Sequence, residues 1–122
     1  MAVQTVAVLG ASNNPDRYSN MAVRRLRDAG HLVIPVNPAL DEIEGLAVAK
    51  SLGDIKDPVD TLTLYVGPQR SAQLIADILR LAPKRIIFNP GTESPELAAA
   101  LDQASIPNIE ACTLVMLQTG TF

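Results

Sequence analysis

Residues 10–19 read Gly10-Ala11-Ser12-Asn13-Asn14-Pro15-Asp16-Arg17-Tyr18-Ser19, and they hold the densest set of groups able to grip an anion. They follow a short β-branched run and precede a helical pattern. At such a junction a glycine turn and a helix N-terminus present backbone N–H groups to a phosphate. Ser12 and Asn13 can add side-chain hydrogen bonds, and Arg17 can meet phosphate oxygens in a two-pronged contact. The plainer alternative is a tight turn satisfied by Ser12, Asn13 and Asn14, with Arg17 in solvent. The dinucleotide fingerprint Gly-x-Gly-x-x-Gly is not met, because Ser12 stands where its second glycine belongs.

Three further segments carry turn formers at the ends of apolar runs. Pro35-Val36-Asn37-Pro38 places a neutral Asn37 where an NAD site usually has an acid for the ribose hydroxyls; Asp41 and Glu42 come only later. Val66-Gly67-Pro68 offers a small residue against which an extended ligand can lie. Asn89-Pro90-Gly91-Thr92-Glu93 combines a close-approach glycine with Glu93 as an acceptor for a ligand hydroxyl or amine, or is simply a loop ahead of a helix cap. Catalytic sets are not found. His31 is the sole histidine and is expected at the surface, on the edge away from these loops. One His and one Cys do not suffice for a metal centre. Cys112 falls near the loop edge and reads either as a small buried hydrophobe or as a reactive thiol.

The elements that must position these residues alternate from end to end. Strands are expected at Thr5–Leu9, Leu32–Val36, Thr61–Val66, Arg85–Phe88 and Ile106–Ile109, with a sixth short strand or a packed loop at Leu46–Val48. Ser19 is expected to cap a helix bearing Ala22, Val23, Leu26 and Ala29 and stopped by Gly30. Pro68 opens a second helix with a face of Ala72, Ile75, Ala76 and Leu79, and Ser94-Pro95-Glu96 opens a third carrying Leu97, Ala98 and Leu101. Thr113–Gln118 is a final short helix or a tail. The pattern predicts an α/β, Rossmann-like three-layer domain over residues 1–122, with a parallel sheet of five or six strands in the order 3-2-1-4-5. In that order the ligand sits between the first and fourth strands.

Composition agrees. The 122 residues are 48% hydrophobic and 19% charged, with two Tyr, two Phe and no Trp, so the core must be aliphatic. A net charge of −3 with scattered cations speaks against a nucleic-acid surface. No apolar stretch approaches the ~20 residues that span a bilayer, and a lone cysteine fits a reducing compartment, so the cytoplasm is the expected location.

Taken together, Gly10-Ala11-Ser12, Pro15, Arg17 and Ser19, then Gly30-x-x-Val33-x-Pro35-Val36-Asn37-Pro38, then Ile43-x-Gly45, Ser51-Leu52 and Val59-Asp60, resemble the small stand-alone CoA-binding domain family. That family is similar to the N-terminal CoA-binding domain of the succinyl-CoA synthetase α subunit. The resemblance covers essentially the whole chain, and Pro-Val-Asn-Pro is its most specific part. It implies a Rossmann-like fold with coenzyme A or an acyl-CoA as ligand. It further implies that Gly10, Ala11, Ser12, Asn13 and Arg17, with Tyr18 and Ser19 beside them, meet the CoA phosphates. Asn37 and Pro38 then lie near the adenosine, and Val66, Gly67 and Pro68 flank the ligand. Asn89, Pro90 and Gly91 complete the set, although Phe88-Asn89-Pro90-Gly91 departs from the Trp-x-Gln-x-Gly pattern of many members, and Cys112 matches a recurrent cysteine. The expected function is a non-catalytic CoA-binding protein with a small-molecule nucleotide ligand and no nucleic acid or membrane partner. Alternatives are an NAD(P)- or nucleotide-binding subunit acting with a partner enzyme, and a thiol-linked CoA or redox sensor through Cys112. A homodimer and a partner enzyme both stay open.

Overall fold

In chain order the elements are β1 (Thr5–Leu9), α1 (Tyr18–Asp28), β2 (Leu32–Val36), β3 (Glu42–Ile43), β4 (Leu46–Ala47), a 3-10 turn (Leu52–Asp54), β5 (Thr61–Leu64), α2 (Pro68–Ala72), α3 (Ile75–Leu81), β6 (Arg85–Phe88), α4 (Pro95–Gln103), β7 (Asn108–Glu110) and α5 (Thr113–Thr119). The computed structural model describes residues 2–122, and Met1 lies outside the described residues. The five main strands form one parallel sheet, ordered β2-β1-β5-β6-β7. Ala7 and Leu9, Leu62 and Leu64, and Ile86 and Phe88 face Ile78 of α3 and Leu97 and Leu101 of α4. Val6 and Val8 face the opposite layer, where Ala22, Val23 and Leu26 of α1 cover them. The three-layer α/β expectation therefore holds. Each fully buried Val, Leu, Ile or Phe side chain among these contributes about 1.5–3 kcal/mol. No described helix is long and apolar enough to cross a membrane.

The strand order differs from the expected 3-2-1-4-5. The strand beginning at Thr61 does not flank β2; it pairs with β1 on its other side, Val6 opposite Thr61 and Leu9 opposite Leu64. Pro35 supplies a reason. Leu32 N–H and Val36 C=O bond toward β1, whereas Pro35 C=O and Asn37 N–H bond outward to Ala49. The missing N–H of Pro35 thus faces the outer edge, where a full neighbouring strand would lose a ladder hydrogen bond. What closes that edge is a single bridge, Val36 to Ala49. Leu46–Val48 does not add a sixth strand to the sheet. Leu46–Ala47 pairs antiparallel with Glu42–Ile43 as a separate small hairpin, turned by Glu44-Gly45.

Helix boundaries follow local chemistry with three departures. Gly30 ends α1 as expected. It adopts φ +92, its N–H reaches Arg27 O at 2.9 Å, and His31 N–H reaches Leu26 O at 3.1 Å, the paired bonds of a Schellman stop. Ser19, however, is not the cap; Arg17 holds that position and Ser19 is buried inside the first turn, while Ala29 is exposed. The helix opened by Pro68 breaks at Gln73-Leu74, where N–H groups bond three residues back, to Arg70 O and Ser71 O. That tightening rotates the face, so that Ser71 and Ile78 are buried and Ala76 is exposed. Ser94 does cap α4, accepting Leu97 N–H at 3.1 Å.

His31 lies on the edge away from the loops, as expected, but it is buried at 5% exposure. Its Nδ1 accepts the N–H of Gln4 at 3.1 Å, and its ring packs 5.2 Å from that of Phe122. Burial, then the nearby positive charge of Arg85, lowers its pKa below 6.5. The unfolded chain therefore takes up this proton first as pH falls. Stability is complete above 6.5 and declines as pH drops from there toward the lowered folded value. Denaturant midpoints measured between about pH 8 and about pH 5 are expected to show this loss, and H31Q to lack that part of it.

Candidate cofactor-binding site

The chain leaves β1 toward β2 on one side, while β5 lies on the other, so the winding of the sheet reverses between β1 and β5. Ligands of open α/β sheets bind in the crevice beyond such a reversal. The expected position between the first and fourth strands is accordingly corrected to the first and third, because the Thr61 strand occupies that place.

Gly10 is required at the start of this crevice. It has φ +89, and a Cβ built there would stand 2.8 Å from Val66 Cγ1 and 2.9 Å from Tyr65 O. The loop then runs along β2. The N–H groups of Gly10 and Ala11 both point to Val36 O, each at 3.2 Å. These two amides are thus engaged within the protein and are not free for an anion, contrary to the simplest reading of a glycine turn. Asn37 donates from Nδ2 to Ala11 O at 2.8 Å and accepts Ala39 N–H on Oδ1 at 2.8 Å. Asn20, fully buried, donates to Ser12 O at 2.9 Å and to Glu44 at 3.1 Å, and accepts from Arg24 Nε at 2.8 Å. Asn20 escaped the sequence reading, since a polar residue inside a helical pattern looks like a solvated one. Among the described residues, the N–H groups left without a protein acceptor here are those of Ser12 and Asn13 and of Tyr18, Ser19 and Asn20 in the first turn of α1. The Ser12 hydroxyl accepts Asn14 N–H at 3.0 Å and retains its own proton for donation.

A cleft of about 660 Å³ opens over this edge. It gathers Gly10, Ala11, Ser12, Arg17, Asn37, Pro38, Val66 and Gly67 from three separate loops. It also brings in two cations that no local pattern marked, Lys50 and Arg70. Lys50 meets Asp41 at 2.7 Å in an exposed pair whose charge and hydrogen bond hold the Asp41 carboxyl below its usual range. The one acid lining the cleft, Asp77, is paired with Arg80 at 2.9 Å.

A second cavity of about 310 Å³ is lined by Tyr18, Tyr65, Asn89, Pro90, Cys112 and Leu114. Beneath it lies a buried polar cluster. Asn89 donates to Thr63 Oγ1 at 2.6 Å and Leu64 O at 2.8 Å and accepts Thr113 N–H at 2.9 Å, while the hydroxyls of Thr63 and Thr113 meet at 2.8 Å. Both Asn89 Nδ2 donors are thereby used by protein, and its Oδ1 has a protein partner. Asn13, Ser19, Pro68 and Gly91 line neither cavity. Asn13 and Pro68 are exposed, Ser19 is buried in α1, and Gly91 gives its N–H to Glu93 Oε1 at 2.9 Å, which engages Glu93 as well.

A parallel sheet wound outward from its first strand, with a polar cleft at the reversal point, defines the Rossmann-like nucleotide-binding class. Within that class residues 4–118 match the model of the CoA-binding domain, and the chain belongs to that family. It is 42% identical over 69 residues to the uncharacterized protein YneT of Bacillus subtilis, a match covering 57% of this chain and 49% of that one. It is 32% identical over 63 residues, 52% of this chain, to an ADP-forming acetate–CoA ligase of Methanocaldococcus jannaschii, of which the match covers only 9%. The crystal structure of an uncharacterized protein superimposes with TM-score 0.91 at 40% identity, over 100% of both chains.

Two substitutions test this geometry. Gly10→Ala is expected to lower the melting temperature, because positive φ alone costs a non-glycine residue about 1–2 kcal/mol before the contacts with Val66 and Tyr65 are counted. Asn20→Ala is expected to cost about 1–3 kcal/mol in chemical denaturation by stranding the partners of a buried amide.

Proposed function

We propose that this chain is a CoA-binding module that holds its ligand at the β1–β5 crevice without performing chemistry on it. The observation that carries this reading is the convergence of Arg17 and Arg70, together with the Asp41-paired Lys50, on one cleft of a chain whose net charge is −3. Coenzyme A is an extended nucleotide bearing a diphosphate and a further phosphate on its ribose, so it calls for several cations spread along a cleft. Family membership and the acetate–CoA ligase relative point to the same ligand.

The residues present fit such a group. Gly10 keeps the crevice floor clear of a side chain. The unpaired N–H groups of Ser12 and Asn13 and of the first turn of α1 suit an anion, aided by the positive end of the helix dipole. Arg17, at the N-cap of α1, supplies a guanidinium at the same place. The ribose acid of an NAD site has no counterpart, because Asn37 is neutral and its side chain is engaged by Ala11 and Ala39. Of this chain's own groups the cleft asks only that they bind, orient and exclude water.

Thermal denaturation with added ligands is the test. Coenzyme A is expected to raise the melting temperature more than dephospho-CoA, ADP or NAD; a shift with NAD and none with CoA would sink the reading. Arg17→Ala is expected to weaken CoA binding about tenfold, the lower end of the 1.5–3 kcal/mol for a hydrogen bond to a charged group, since Arg17 is exposed. Calorimetric titration of that variant checks it, and unchanged affinity would remove Arg17 from the site.

A further inference from the structure

The second cavity is chemically unlike the cleft beside it. Two tyrosine rings, Pro90, Leu114 and the Cys112 thiol make its walls, and Asn89 presents an amide whose hydrogen bonds are already made. Such a lining suits an apolar guest rather than water, which needs several polar partners. The two spaces share a wall, for Tyr65 lines both. The Tyr65 hydroxyl is buried beside the Thr63 and Thr113 hydroxyls of the polar cluster, and burial raises its pKa.

Resting on the CoA reading of the cleft, we propose that this cavity is an acyl subsite and that the preferred ligand is a short- or medium-chain acyl-CoA. An acyl-CoA is anionic at its nucleotide end and apolar at its acyl end. A cation-lined cleft and an apolar cavity that adjoin at one tyrosine match that polarity. The space selects chain length. At the roughly 30 Å³ that one water occupies in the liquid, the cavity holds about ten groups of that size, enough for a short or medium acyl chain and not for a sixteen-carbon one. Tyr18, which also lines the cavity, is 72% exposed.

Isothermal titration with CoA, acetyl-CoA, butyryl-CoA and palmitoyl-CoA tests the assignment. Butyryl-CoA is expected to bind more tightly than acetyl-CoA by up to about fourfold per added methylene, with no further gain for palmitoyl-CoA. Leu114→Phe, which fills the cavity, is expected to abolish the butyryl advantage while CoA affinity stays unchanged. Leu114→Ala, which enlarges it, is expected to move the optimum to longer chains and keeps the test alive if the Phe variant folds poorly. Equal affinity for CoA and every acyl form would overturn the acyl subsite and leave the CoA reading intact. An equal loss for CoA and butyryl-CoA in Leu114→Phe would also overturn it. Failure of all four ligands to bind would overturn both readings.

Discussion

Where the chain leaves β1 it passes β5 too closely for any side chain, with a would-be Cβ of Gly10 only 2.8 Å from Val66. That clearance dictates the path of the loop, and the next contacts hold it there. Val36 O takes two successive N–H groups, Asn37 grips the Ala11 carbonyl, and Asn20 grips the Ser12 carbonyl. A loop tied at consecutive residues loses little further entropy when a ligand arrives, which is how preorganised sites gain affinity. The same ties consume the amides nearest the glycine and leave those of Ser12, Asn13 and the start of α1 without a protein acceptor.

The interior beside this loop is equally determined. Thr61 and Thr63 are fully buried on the central strand β5, and each has its hydroxyl satisfied. Thr61 donates to Gln4 at 2.6 Å and accepts from Arg85 at 2.8 Å. Thr63 joins Asn89 and Thr113. Unpaired hydroxyls at these depths would be costly, and paired ones hold β5, β6 and α5 in one register. That second network shapes the apolar cavity, and Tyr65, one residue beyond β5, separates it from the polar cleft. One strand end thus sets the boundary between a region suited to phosphates and a region suited to hydrocarbon.

Electrostatics acts locally against the overall composition. The chain is acidic in sum, yet Arg17, Lys50 and Arg70 come from an α1 cap, the segment after β4 and the first turn of α2 to line one opening. The single acid lining the cleft, Asp77, is paired with Arg80, and Lys50 is paired with Asp41, so the unpaired positive charge at this opening comes from Arg17 and Arg70.

Much of this was legible along the chain because it is set by neighbours in sequence. The apolar run of Thr5–Leu9, the Gly30 stop and the Ser94-Pro95 start each depend on residues within about four positions, through periodicity and capping. The resemblance carried by the Gly-Ala-Ser and Pro-Val-Asn-Pro segments added the ligand. The rest depends on contacts between distant segments and was not legible. The side of β1 on which the Thr61 strand docks is settled by a crossing of residues 37–60 that has no periodic pattern, and by the outward-facing nitrogen of Pro35. The burial of His31 against Gln4 and Phe122, the contacts of Asn20 with Ser12 and Glu44, and the arrival of Lys50 and Arg70 at the cleft likewise join segments distant in sequence. Local spacing specifies which segments become strands and helices; only their packing against one another brings separate loops to a common edge, because the groups that meet there lie tens of residues apart.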